Sequence, residues 1–147
     1  QSFLAPLSSI HFKSNEDEIH YLRSHYNRHL QFLSEAPLYY IIGDVLFTHA
    51  GYNSQFDTLK QTTDRDFIWI RKHYLNQNIT PFINVFGHTP TKYIHDSNDI
   101  WVSKDKRYIA IDGGCYMSGQ LNAVLLSQNG NILETYKTHL QESEIYT

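Results

Sequence analysis

Apolar positions along this 147-residue chain follow two periods, and the change from one to the other predicts the elements. Ile19, Leu22, Tyr26, Leu30 and Leu33 recur at helical spacing behind Ser14-Asn15-Glu16-Asp17-Glu18, an N-cap followed by an acidic first turn. This predicts an amphipathic helix within residues 15–33, ending before Pro37. A second helical pattern covers residues 64–75, with Phe67, Trp69, Ile70 and Tyr74 inward. Elsewhere the apolar runs are short. Residues 38–42 and 45–48 flank Gly43-Asp44, a two-residue loop with glycine first that signals a type II′ hairpin. Ile83, Val85 and Phe86 mark a further strand, and from Ile100 onward the chain reads as strands over 100–103, 108–112, 120–127 and 131–137. The last two flank Asn129-Gly130, a strong hairpin signal. Residues 1–12 read as irregular and the tail from Thr138 as loosely held. Helices and strands interleaved in this way imply a layered α/β (α+β) architecture.

Two of the strand-like runs end in a histidine: Phe47-Thr48-His49-Ala50-Gly51 and Val85-Phe86-Gly87-His88-Thr89-Pro90. In an open α/β sheet, ligands bind beyond the carboxyl ends of the strands, so histidines leaving two separate strands can meet at one point. Neutral imidazole is the commonest protein metal ligand. A lone histidine in such a place is more often a satisfied core residue. Two with the same local pattern favour a site. His25 and His29 also stand four apart, but with Arg23 and Arg28 nearby and no third ligand they read as a solvated helix face.

The two histidine strings resemble the last two metal motifs, HAG and GHTP, of the serine/threonine phosphoprotein phosphatase family, part of the calcineurin-like metallophosphoesterases. Between them Asp66-Phe67-Ile68-Trp69-Ile70-Arg71 resembles the family's D-L-L-W-x-R segment. Ile111-Asp112-Gly113-Gly114-Cys115, followed by Gly119-Gln120-Leu121, resembles its I-D-T-G-C and G-x-L strand pair, with Gly113 where bacterial relatives usually carry threonine. The family's earlier motifs, GDxHG, GDxxDRG and GNHE, do not occur in these residues. The resemblance therefore implies that residues 1–147 are the C-terminal portion of a single metallophosphoesterase domain, part of a β-sandwich flanked by helices.

The same resemblance implies a chemistry. His49 and His88 are expected to bind one of two divalent metal ions, manganese first, with iron or zinc as other candidates. The remaining ligands and the general acid belong to the motifs not present. Arg71 aligns with the family's phosphate-clamping arginine and is expected to bind substrate and act in catalysis, since a guanidinium grips two phosphoryl oxygens at once. The implied activity is direct hydrolysis of a phosphomonoester, on a phosphorylated protein or a small phosphoester, by a metal-bridging water. Hydrolysis of dinucleoside polyphosphates such as diadenosine tetraphosphate is a related alternative, and a noncatalytic remnant or binding module is an alternative of another class. Asp112 is read as orienting its neighbours or ending a strand. Lys72, His73 and His95 carry no motif and are left as surface residues.

Composition narrows the partners. A net charge of −3, with no basic cluster longer than Lys104-Asp105-Lys106-Arg107, gives no electrostatic footprint for nucleic acid. No run approaches the ~18 apolar residues of a membrane span, and no signal-peptide pattern is visible. A single cysteine excludes an internal disulfide and suits a reducing compartment, so cytoplasm is the expectation. Cys115 itself has no basic partner in sequence and is read as a packed thiol. Oligomeric state is not legible.

Overall fold

The computed structural model describes residues 10–140, which fall into two units divided after Pro37. The predicted opening segment up to residue 9, and the tail beyond 140, lie outside the described residues. Both helices and strands are present, with a mixed sheet, so the α+β class holds. No helix among the described residues is long and apolar enough to cross a membrane.

In the first unit the predicted single helix is two: α1, Asn15–His25, and α2, Asn27–Glu35. Ser14 caps α1 by accepting from Asp17 N at 3.2 Å, as its sequence implies. The break falls at Tyr26 (φ −119°, ψ 21°). Just before it the Ser24 hydroxyl donates back to the His20 and Tyr21 carbonyls, both at 3.0 Å, a competition with the helix ladder that bends helices. No described residue of either helix is buried: on the expected apolar face Leu22, Tyr26 and Leu30 are half-buried while Ile19 and Leu33 are exposed, and Phe32, outside that pattern, is exposed as well. His25 and His29 are thereby split between two helices.

The second unit is built on a five-stranded sheet. Its strands are β1 (Tyr39–Ile42), β2 (Val45–Thr48), β3 (Ile83–Phe86), β4 (Trp101–Val102) and β5 (Tyr108–Ala110), in the spatial order β1-β2-β3-β5-β4. Strands β2, β3 and β5 run parallel to one another, while the edge strands β1 and β4 are antiparallel to their neighbours. Gly43 turns β1 into β2 at φ +57°, the sign a type II′ turn needs at its first position. A separate antiparallel pair, β6 (Gln120–Leu126) and β7 (Ile132–His139), forms a two-stranded sheet. β7 reaches His139, so residues 138 and 139, expected to be loose, are paired with Leu121 and Gln120.

Side-chain alternation gives the sheet two unlike faces. On one, Val45, Val85 and Ile109 form a fully buried aliphatic row, packed by Phe47, Ile83, Ile100, Ile111 and, from β6, Leu126. On the other, Leu46, Tyr52 and Phe67 make one cluster and Phe86, Tyr108 and Ala110 a second. Between them, in register with Leu46 and Tyr108, lies Asn84, which is fully buried.

The helix predicted over 64–75 is shorter than its pattern. It begins as α3, Asp64–Trp69, on a reciprocal cap in which Thr63 accepts from Asp66 N and the Asp66 carboxylate returns to Thr63. It stops because the Phe67 carbonyl, which a continuing helix would offer to residue 71, accepts from Ala50 N at 2.9 Å. Ile70 then turns extended, Lys72 adopts the left-handed region at φ 63°, and a 3₁₀ turn follows over His73–Leu75. Phe67 is buried as expected, whereas Trp69 is 58% exposed. Further short helices are a 3₁₀ turn at Leu59–Gln61, α4, Lys92–His95, and α5, Cys115–Ser118.

Candidate functional site

Three neighbouring parallel strands end on the same side of the sheet, and each hands on a polar residue. His49 follows β2, His88 follows β3 by one glycine, and Asp112 follows β5 by one residue. This is the placement at which open α/β sheets bind ligands. The His49 and His88 rings are brought together, with centroids 5.1 Å apart and planes tilted by 53°. Two imidazoles on one ion hold their nitrogens no more than about 4.2 Å apart, a separation such ring spacing accommodates. The loops are tied to each other, since Gly87 N donates to the His49 carbonyl at 2.9 Å.

His88 sits at φ 62°, an unusual conformation for a non-glycine residue and a cost of order 1–3 kcal/mol that the surrounding structure must impose. Its Nε2 is buried without a hydrogen-bond partner among the described residues. Trp69 packs over the ring at a centroid distance of 5.0 Å. Burial, and then the positive charge of Arg71 and the neighbouring His49, hold the His88 imidazole below its ordinary pKa, against a smaller opposing pull from Asp112. At neutral pH it is therefore uncharged, the state a metal requires of it.

Arg71 follows α3 rather than lying within it, and it reaches the same place. Its guanidinium donates to the His88 carbonyl at 3.4 Å and to Thr89 Oγ1 at 3.5 Å, two long bonds on an exposed side chain that leave other donors available. Asp112 orients its surroundings, accepting from Gly114 N at 2.8 Å on Oδ1 and from Thr91 N at 2.8 Å on its carbonyl. Gly113 has no room for the threonine of the resembled family: a Cβ there would stand 2.5 Å from the Gln120 carbonyl oxygen.

Two sequence readings are corrected. Cys115 is exposed at the start of α5 and is not a packed thiol. His73 is not a surface residue: it is 3% exposed, beneath the loop that follows His49. Its Nε2 meets Asn84 Oδ1 at 3.1 Å, and burial lowers its pKa to about 4 despite that bond. No motif marks it. The one available signal was Asn84, a polar residue in an otherwise apolar strand, which requires a buried partner. His95 bonds the Asp99 carbonyl at 2.9 Å, and Lys72 is exposed.

Among the described residues no group of three or more His, Cys, Asp or Glu side chains is placed to hold a metal ion, so His49 and His88 offer two ligands at most. No protein-family model, curated protein or solved structure matches this chain.

Proposed function

We propose that this chain forms part of a metal-dependent phosphomonoester hydrolase, acting on phosphoserine or phosphothreonine in a protein substrate within a reducing, cytoplasmic compartment. The observation carrying this reading is the convergence, at the ends of two parallel strands, of two imidazoles with ring centroids 5.1 Å apart and of Arg71, within long hydrogen-bond reach of the His88 carbonyl. His49 and His88 would hold one divalent ion, manganese first, with the other ligands supplied from outside these 147 residues. The unpartnered Nε2 of His88 fits that role, because a buried polar atom without a hydrogen bond is costly unless something else satisfies it. When bound, such an ion supplies an activated water and neutralises charge on the phosphoryl oxygens. Arg71 would grip two of those oxygens from its place beside the His88 carbonyl and Thr89.

The test is Mn²⁺-dependent hydrolysis of p-nitrophenyl phosphate and of a phosphoserine peptide by the chain together with the residues that complete its metal ligands. His88→Ala should abolish turnover, and Arg71→Ala should lower kcat/KM while leaving Mn²⁺ binding intact. Cleavage of diadenosine tetraphosphate instead would reassign the substrate. Metal binding without any hydrolysis would leave a noncatalytic module.

A further inference from the structure

We propose that His73 and Asn84 act as a positioning pair that fixes the course of the His49-bearing loop from beneath, by holding the residues on both sides of His49. On one side, Asn84 Nδ2 donates to Thr48 Oγ1 at 3.0 Å and to the Leu46 carbonyl at 3.1 Å. On the other, the His73 ring lies where a side chain at residue 51 would go: a Cβ on Gly51 would stand 2.5 Å from Nε2 and 2.7 Å from Nδ1. The backbone of Gly51 therefore rests directly on the imidazole, at φ +141°. His49 is thus suspended between a hydrogen bond to Thr48 and a packed contact at Gly51, both leading to one buried pair.

The pair also specifies itself. Asn84 Nδ2 faces carbonyl oxygens of Leu46 and Val85, so the amide presents Oδ1 to His73, and His73 must carry its proton on Nε2. Phe86 and Tyr108 pack against the ring in T-shaped contacts, with centroids at 4.5 Å and 5.5 Å, and fix its plane. Nδ1 has no partner among the described residues, which is the cost of placing an imidazole here. A phenylalanine would fill this space without that cost. The retained imidazole is explained by what its Nε2–H does for Asn84.

The decisive experiment is NMR on the metal-free chain, comparing wild type with His73→Phe, His73→Gln and Thr48→Val. In the wild type an NOE joins the His49 and His88 rings. The Ala50 amide, bonded to the Phe67 carbonyl, is protected from exchange. His73→Phe should lose the inter-ring NOE and speed Ala50 exchange by about tenfold, the factor that one net hydrogen bond represents, with Val85 in the sheet ladder unchanged. His73→Gln, whose amide N–H can take the place of Nε2–H, should restore both signals, and Thr48→Val should reproduce the loss without touching the core. Equal acceleration at Ala50 and Val85 would mean a packing role only, and would overturn the proposal. So would an intact NOE in His73→Phe and Thr48→Val.

A Zn²⁺ titration of the same variants, each together with the residues that complete its metal ligands, carries the consequence for a metal, and this arm rests on the ligand role proposed for His49. His73→Phe should weaken Zn²⁺ binding by about tenfold, as loss of support behind a ligand does elsewhere. Absence of Zn²⁺ binding in the wild type would remove that ligand role, while the NOE and exchange results would still decide the positioning pair.

Discussion

The two faces of the central sheet share the same three strands but are built on different physics. One face stacks Val45, Val85 and Ile109 into a dry row, where contact area alone stabilises the fold and direction hardly matters. The other interrupts its apolar clusters with Asn84, His73, Ser54 and the Tyr52–Asn78–Thr80 group, each bonded to a specific atom. The Ser54 hydroxyl meets Tyr108 Oη at 2.5 Å, and burial pushes that tyrosine up to about 12. Tyr52 Oη bonds Asn78 at 2.9 Å and Thr80 at 2.5 Å. Hydrophobic contact is non-directional, whereas hydrogen bonds fix orientation. The polar face is the one that reaches the His49 loop. A row of aliphatic groups could hold β2 in the sheet but could not determine the angle at which His49 leaves it.

The sharpest way to break the comparison is to damage the aliphatic face and look for an effect on the loop. Ile109→Ala should cost roughly 2–5 kcal/mol, the range for emptying a well-packed site, read as a lower urea midpoint. The His49–His88 inter-ring NOE should persist below that midpoint. Its disappearance would mean that both faces position the loop.

On the polar face the corresponding lever is pH. The folded His73 pKa of about 4 lies below the ordinary 6.5, so between those values the unfolded chain binds more protons than the folded one. Stability contributed by neutral His73 is therefore fully present above about 6.5 and is lost as pH falls towards 4, by roughly 3 kcal/mol in all. The titratable groups facing the ring, Tyr74 and Tyr108, have pKa values raised by burial and stay neutral across that window. Urea midpoints measured from pH 7 to 4 should show the loss, and His73→Phe should remove most of it. An unchanged slope in the variant would assign the loss to carboxylates.

A smaller effect tests the contact beneath the loop. Gly51→Ala drives a methyl group into the His73 ring at a φ that disfavours a side chain, and should cost about 2 kcal/mol. Combining it with His73→Ala opens the space, so the double variant should be less destabilised than the two single costs added together. Simple additivity would place the ring elsewhere.

These differences also explain what the sequence could and could not reveal. The strands around His49 and His88 were legible because apolar runs closed by glycine or small residues carry their own signal, and Ser14 and Gly43 act within a few residues. The pattern over 64–75 misled because its helix is cut short at a distance, by Ala50 N taking the Phe67 carbonyl from a separate loop. The split at Tyr26 follows a serine whose back-bonding periodicity does not register. His73 escaped notice for the same reason as the helix end: its partner, Asn84, is eleven residues away and its roof, Gly51, belongs to another loop. Arg71 was legible by its motif, but its place beyond the helix end was not.

The smallest predicted effect concerns the residue between Arg71 and His73. These two side chains serve opposite purposes, one exposed beside His88 and the other buried under Gly51, and only Lys72 separates them. A continued helix would set them about 200° apart around its axis and would keep both amides in the ladder. Here the ladder has ended at Ile70, and Lys72 makes the reversal alone, at φ 63° and ψ 9°. For an L-residue that conformation costs roughly 1–2 kcal/mol, which glycine avoids while giving back about 0.5–1 kcal/mol of extra unfolded-state entropy. Lys72→Gly should therefore raise stability by about 0.5–1 kcal/mol, a thermal midpoint a few degrees higher, with Arg71 and His73 unmoved. Lys72→Val should lower stability by about 1 kcal/mol, because a β-branched side chain tolerates the left-handed region worst. Equal midpoints for the glycine and valine variants would show that residue 72 is not left-handed. The separation of Arg71 from His73 would then have to be made elsewhere in the turn.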